Sequence, residues 1–101
     1  MVVFDEVVEK VNDAVRQVDA DGGASPVVAA VVGEFKAKLT KAAEHANDGV
    51  PDRESVLELE QAGDSAKVAA EADTGLSSGA RESVLAAHLA ICQMKAEGGP
   101  A

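Results

Sequence analysis

Two apolar stripes in the first half of the chain constrain its fold most strongly. Their residues recur at steps of three and four positions, which places each stripe on one face of a helix. The stripes consist of Phe4, Val7, Val8, Val11, Val15 and Val18, and then of Val28, Val32, Phe35, Leu39, Ala42 and Ala46. Charged residues lie between the apolar ones, so each segment is amphipathic and must bury one face. The pattern therefore predicts helix packed on helix.

Start and stop signals divide the chain further. Ser25 can cap the free amides of a helix, and Pro26 fits its first turn, where no N–H is needed. A glycine inside a helix costs about 1 kcal/mol relative to alanine, so we expect the third helix to be kinked or broken near Gly63. The helices are predicted at about 3–20, 26–46, 52–73 and 80–97. Residues 1–101 are thus predicted to form a single all-α domain, an antiparallel three- or four-helix bundle.

The composition favours self-association. Of the apolar residues, which are 47% of the chain, 20 are Ala and 15 are Val, while Trp and Tyr are absent. Small side chains bury little area, and burial stabilises by about 25 cal/mol per Å². A monomer of 101 residues built from them would be marginal, so we expect a homodimer or a higher oligomer.

Charge and hydropathy narrow the setting. The formal net charge is −9, which repels nucleic acid and anionic lipid. The N-terminal segment carries Asp5 and Glu6 where a signal peptide would be basic, and no apolar run is long enough to span a bilayer. Cys92 is the single cysteine, which excludes an internal disulfide. These features predict a cytoplasmic protein that binds no nucleic acid and has no membrane span.

One short internal echo exists. The sequence Arg-Glu-Ser-Val-Leu at 53–57 recurs at 81–85, 28 residues later. Two similar helix starts, each with an acidic residue in the first turn where the helix dipole favours it, explain the match. A duplicated helical hairpin is the alternative.

The candidate chemistry centres on His88. Helical spacing places this residue among Val84, Leu85, Ile91 and Cys92, and no second metal ligand lies three or four residues from it apart from the thiol. We interpret it as a structural histidine bonded to a neighbouring helix or placed at a dimer seam. His88 and Cys92 remain weak candidates for cofactor binding, and no catalytic or metal site is predicted.

Asp64–Ser65 resembles the Asp-Ser attachment site of acyl carrier proteins, in which the serine carries phosphopantetheine. The resemblance covers only these residues with the preceding Gly63. Ala66 and Lys67 follow, where that family has large apolar residues, and the chain departs from the family there. No cofactor is predicted.

The sequence as a whole predicts a small acidic helical bundle, not an enzyme, that binds itself and another protein through helix faces. Its expected interface is the small-residue face of the third helix, formed by Ala62, Ala66, Ala69 and Ala70. The alternative is a small-molecule or cofactor-binding bundle with a core pocket near His88 and Cys92.

Overall fold

A computed structural model describes residues 3–97, which contain four helices. These are α1 (Phe4–Ala20), α2 (Pro26–Glu44), α3 (Arg53–Ala72) and α4 (Ser78–Ala96). Each helix begins and ends within two residues of its predicted boundaries. The predicted all-α bundle is confirmed.

The helices form a closed ring. α1 packs on α2 and α4, and α3 packs on α2 and α4, so each helix contacts its two neighbours. Short loops join successive helices, which makes neighbours antiparallel. The bundle measures 38 × 22 × 18 Å. Within the described residues, no helix combines the length and the apolar character needed to cross a membrane.

Side-chain caps fix where three helices begin. The Ser25 hydroxyl accepts a hydrogen bond from the Val28 amide at 3.2 Å, as the sequence predicts. Ser77 caps α4 in the same way, and the Asp52 carboxylate accepts from the Ser55 amide at 2.7 Å. The Ser77 cap explains why α4 begins two residues before its predicted start.

The core follows the predicted stripes with one shift of register. In α2, the predicted residues from Val28 to Ala42 are all buried. In α1, Ala14 is buried, whereas Val8 and Val15 are half-buried at the edge of the core. Valine and alanine make up most of the buried set, so the core is thin, as expected from the composition.

α3 differs from the expected kinked or broken helix because it runs without a break through Gly63. This glycine is buried, and a Cβ added to it would lie 3.4 Å from Phe35 Cζ and 3.5 Å from His88 Cδ2. Two rings therefore pack directly over the glycine backbone. Their packing offsets the low helix propensity of glycine, which the sequence pattern alone overstated.

The two halves of the bundle repeat each other at an offset of 52 residues. Each buried position of α1 and α2 has a buried counterpart in α3 and α4. The α1 positions 4, 7, 11, 14 and 18 correspond to 56, 59, 63, 66 and 70, and the α2 positions 28, 32, 35, 39 and 42 correspond to 80, 84, 87, 91 and 94. The hairpin α1–α2 is thus the structural counterpart of the hairpin α3–α4.

Reciprocal hydrogen bonds join the two interhelical loops, and we call this arrangement the loop clasp. It is built from two copies of the pattern Asp-x-Gly-x-Ser, at 21–25 and 73–77. Asp21 accepts from the Gly23 amide at 2.9 Å and, across the bundle, from the Ser77 amide at 2.8 Å. Asp73 accepts in the same way from Gly75 at 2.9 Å and from Ser25 at 2.8 Å. Each loop therefore holds the start of a helix in the other hairpin.

The echo at 28 residues does not reflect this repeat. It relates the starts of α3 and α4, which are neighbours within one hairpin rather than equivalent helices. The two arginines also differ, because Arg53 is exposed whereas the Arg81 guanidinium donates to the carbonyl oxygens of Ala70, Asp73 and Leu76. Arg81 thereby satisfies free carbonyl groups at the end of α3.

Candidate functional site

His88 lies on the seam between α3 and α4. Its Nε2 atom is 2.6 Å from Asp64 Oδ1, and its side chain is 18% exposed. With Nε2 protonated, the ring donates a hydrogen bond to the carboxylate of the neighbouring helix. The sequence placed His88 on α4 but missed Asp64, which lies 24 residues away and is adjacent to the glycine that the ring covers.

Cys92 lies one turn after His88, with its Sγ 3.7 Å from the same Nε2 atom. Burial raises the pKa of this thiol, and the nearby carboxylates Glu60 and Asp64 raise it further. A Cys–His–Asp relay uses opposite ring nitrogens for the thiol and the carboxylate. Here one nitrogen faces both groups and the thiol is kept protonated, so the arrangement does not activate a nucleophile.

A further ion pair closes this seam toward the end of α4. Lys95 Nζ lies 2.9 Å from Glu60 Oε1, and together with the Asp64–His88 pair it bridges α3 and α4. Within residues 3–97 no group of three His, Cys, Asp or Glu side chains is arranged to hold a metal ion. The seam is therefore a set of interhelical bridges.

The alanines predicted as an interface lie largely inside the chain's own bundle. Ala66 and Ala70 are completely buried, Ala62 is 8% exposed, and Ala69 packs against the core from its edge. A glutamate at 66 or 70 would disrupt the bundle itself, so such a variant does not report on association. Ser65 is exposed in the middle of α3 rather than at the start of a helix, as its predicted capping role would require.

A different surface presents apolar side chains to solvent. We call it the α4 face, and it consists of Leu85, Leu89, Cys92 and Ala96, spaced by four, three and four residues. Leu89 is 55% exposed, the highest value among the six leucines, and Leu85 and Cys92 are half-buried beside it. No Asp, Glu, Lys or Arg occurs from Ser83 to Met94. An exposed leucine with a second leucine one turn before it is typical of a helix that packs on a partner.

An open groove lies between α1 and α2, on another side of the bundle. It has a volume of about 330 Å³. Its lining comprises Val8, Asn12, Lys36, Leu39, Thr40, Ala43 and Glu44. Leu39 is almost fully buried, and the Lys36 ammonium donates to the Asn12 side-chain oxygen across the seam. Two other open hollows, of about 460 and 290 Å³, lie along α1 and beside the start of α2, and neither is lined by His88 or Cys92.

Comparison with known proteins supplies no family for this arrangement. The chain matches no family model, and it shows no significant similarity to a curated protein or to a solved structure.

Proposed function

We propose that the chain is a protein-interaction module that associates with copies of itself through the α4 face. The observation that carries the proposal is Leu89, a large apolar side chain that is 55% exposed beside the half-buried Leu85. Burying one leucine side chain is worth about 1.5–3 kcal/mol. A contact centred on these residues would add the apolar burial that the thin core lacks.

The charge distribution supports a copy of the same chain as the partner. Two molecules of net charge −9 repel each other wherever charged surfaces meet. The α4 face lies on a helix that carries Glu82 as its single acidic residue, and the charge-free stretch around Leu89 avoids that repulsion. Burial also keeps the Cys92 thiol neutral, because its pKa is raised.

No observation favours the alternative of a ligand pocket in the core near His88 and Cys92. The space over Gly63, beside the histidine, is filled by the rings of Phe35 and His88 at van der Waals distance. Catalysis is not part of the proposal, because the thiol and the carboxylate meet the same ring nitrogen.

The substitution Leu89→Glu tests the proposal. It adds a carboxylate at the centre of the α4 face, and the side chain is exposed enough for the bundle to fold normally. Loss of one buried leucine weakens association by about 10- to 100-fold. Sedimentation equilibrium of the purified full chain measures the change.

Val68→Glu is the matched control. Val68 is 65% exposed on α3 and lies in sequence between the charged residues Lys67 and Glu71, away from the α4 face. This variant gains the same charge and should associate like the wild type. Equal association of wild type and Leu89→Glu would refute the α4 face as the contact surface.

A further inference from the structure

We infer that the copies associate head to tail, with the α4 face of one chain docked in the groove between α1 and α2 of the next. This inference rests on the proposed function and names the surface that receives the α4 face. It is carried by a comparison of the two halves of the bundle.

The groove is apolar at its floor and polar at its rim. Val8, Leu39 and Ala43 supply the apolar surface, while Lys36 and Glu44 lie at the edges with opposite charges. Its volume of about 330 Å³ is open to solvent along the seam. A groove between two helices with such a floor accepts an apolar side chain from a third helix.

The second hairpin shows that the equivalent position is normally filled. At the offset of 52 residues, Val8 and Ala43 correspond to Glu60 and Lys95, whose side chains meet at 2.9 Å and bridge α3 and α4. The Asn12–Lys36 bond likewise corresponds to the Asp64–His88 bond. The first hairpin retains one bridge and lacks the other, and the groove lies where the missing bridge would be.

The chain itself offers a complementary occupant. α4 carries two basic residues and one acidic residue, whereas α1, which forms one wall of the groove, carries five acidic and two basic residues. Docking α4 there repeats the pairing of α4 with α1 that exists inside each bundle. Since the donor and acceptor surfaces are different parts of the molecule, the contact is heterologous and joins chains in series or in a ring.

A charge-neutral graft closes the groove. The double variant Val8→Glu/Ala43→Lys introduces the equivalents of Glu60 and Lys95 and leaves the α4 face intact. Its control, Val68→Glu with Ala37→Lys, adds the same two charges at exposed positions outside both surfaces. Circular dichroism and thermal unfolding confirm that each variant folds.

Mixing the two blocked chains tests the direction of the contact. The graft and Leu89→Glu should each be monomeric alone, because one lacks the groove and the other lacks the α4 face. Mixed together, they should form a 1:1 heterodimer in native mass spectrometry, since one intact surface of each kind remains. The control double variant should associate like the wild type.

The other outcomes overturn the inference in distinguishable ways. If the graft associates like the wild type while Leu89→Glu is monomeric, the α4 face pairs with itself and the groove has no role. If both are monomeric and the mixture forms no heterodimer, the groove does not receive the α4 face. If Leu89→Glu associates normally, the proposed function itself is wrong.

Discussion

Asp21 and Asp73 show how two single residues join the halves of the bundle. Each carboxylate accepts one amide from its own loop and one from the opposite loop. These backbone hydrogen bonds, above all the one from Ser77 to Asp21 and the one from Ser25 to Asp73, hold both pKa values below the ordinary value of 3.8. The loop clasp therefore depends on ionised carboxylates.

The clasp should weaken in acid. A carboxyl whose pKa is lowered by folding contributes stability above its unfolded pKa, and this contribution is lost as the pH falls from about 4 through the lowered value. In Asp21→Asn/Asp73→Asn each side chain keeps one acceptor oxygen for two amides. We expect this variant to be less stable than the wild type at pH 7 and to lose less stability between pH 4 and pH 2. Urea unfolding at several pH values measures both effects, with Asp19→Asn as the control, and parallel pH profiles would contradict the account.

Gly23 makes a second residue-scale prediction at the same clasp. A Cβ on this glycine would lie 2.0 Å from the Gly75 carbonyl oxygen, so the backbone of one loop would have to move. Gly23→Ala should destabilise the bundle by about 1–3 kcal/mol, the usual cost of overpacking. Gly22→Ala is the control, because no atom lies within 4 Å of its added Cβ. Equal unfolding midpoints in urea for the two variants would show that the loops do not approach this closely.

At the scale of elements, the pairing of α2 with α3 is set by one large and one absent side chain. Phe35 packs over Gly63, whereas the equivalent positions of the other half are Ala87 and Val11. Gly63→Val should cost about 1–3 kcal/mol by overpacking. Phe35→Ala alone should cost about 3–5 kcal/mol.

The double variant Phe35→Ala/Gly63→Val reproduces the other half's combination. We expect its loss of stability to be smaller than the sum of the single losses by about 0.5–3 kcal/mol, the range for residues in contact. Chemical denaturation of the four proteins closes the cycle. Strict additivity would show that the two positions do not share packing space.

Helices with charge contrast were predictable as elements, and α4 was only partly so. The stripes of α1 and α2 alternate with charged residues, which defines the buried face from the sequence. α4 has no Asp, Glu, Lys or Arg from Ser83 to Met94, so its buried and exposed faces look alike in sequence. For that reason the outward position of Leu89 and the partner of His88 were missed. Only tertiary packing distinguishes these faces.

At the scale of the whole molecule, the helical bundle and the helix boundaries were predictable, whereas the internal repeat was not recognised. The repeat is hidden because equivalent core positions hold different residues, such as Phe35 and Ala87 or Val11 and Gly63. The matching pattern Asp-x-Gly-x-Ser at 21–25 and 73–77 was the signal that could have revealed it. The alanines of α3 were predicted as an outer face because their buried partners lie on other helices.

The central claim is that this bundle associates with copies of itself. Native mass spectrometry of the full chain, purified without refolding and measured over a range of concentrations, tests it most directly. The account predicts species at integer multiples of the 10.2 kDa unmodified chain, whose share rises with concentration. A monomer at every concentration would contradict it.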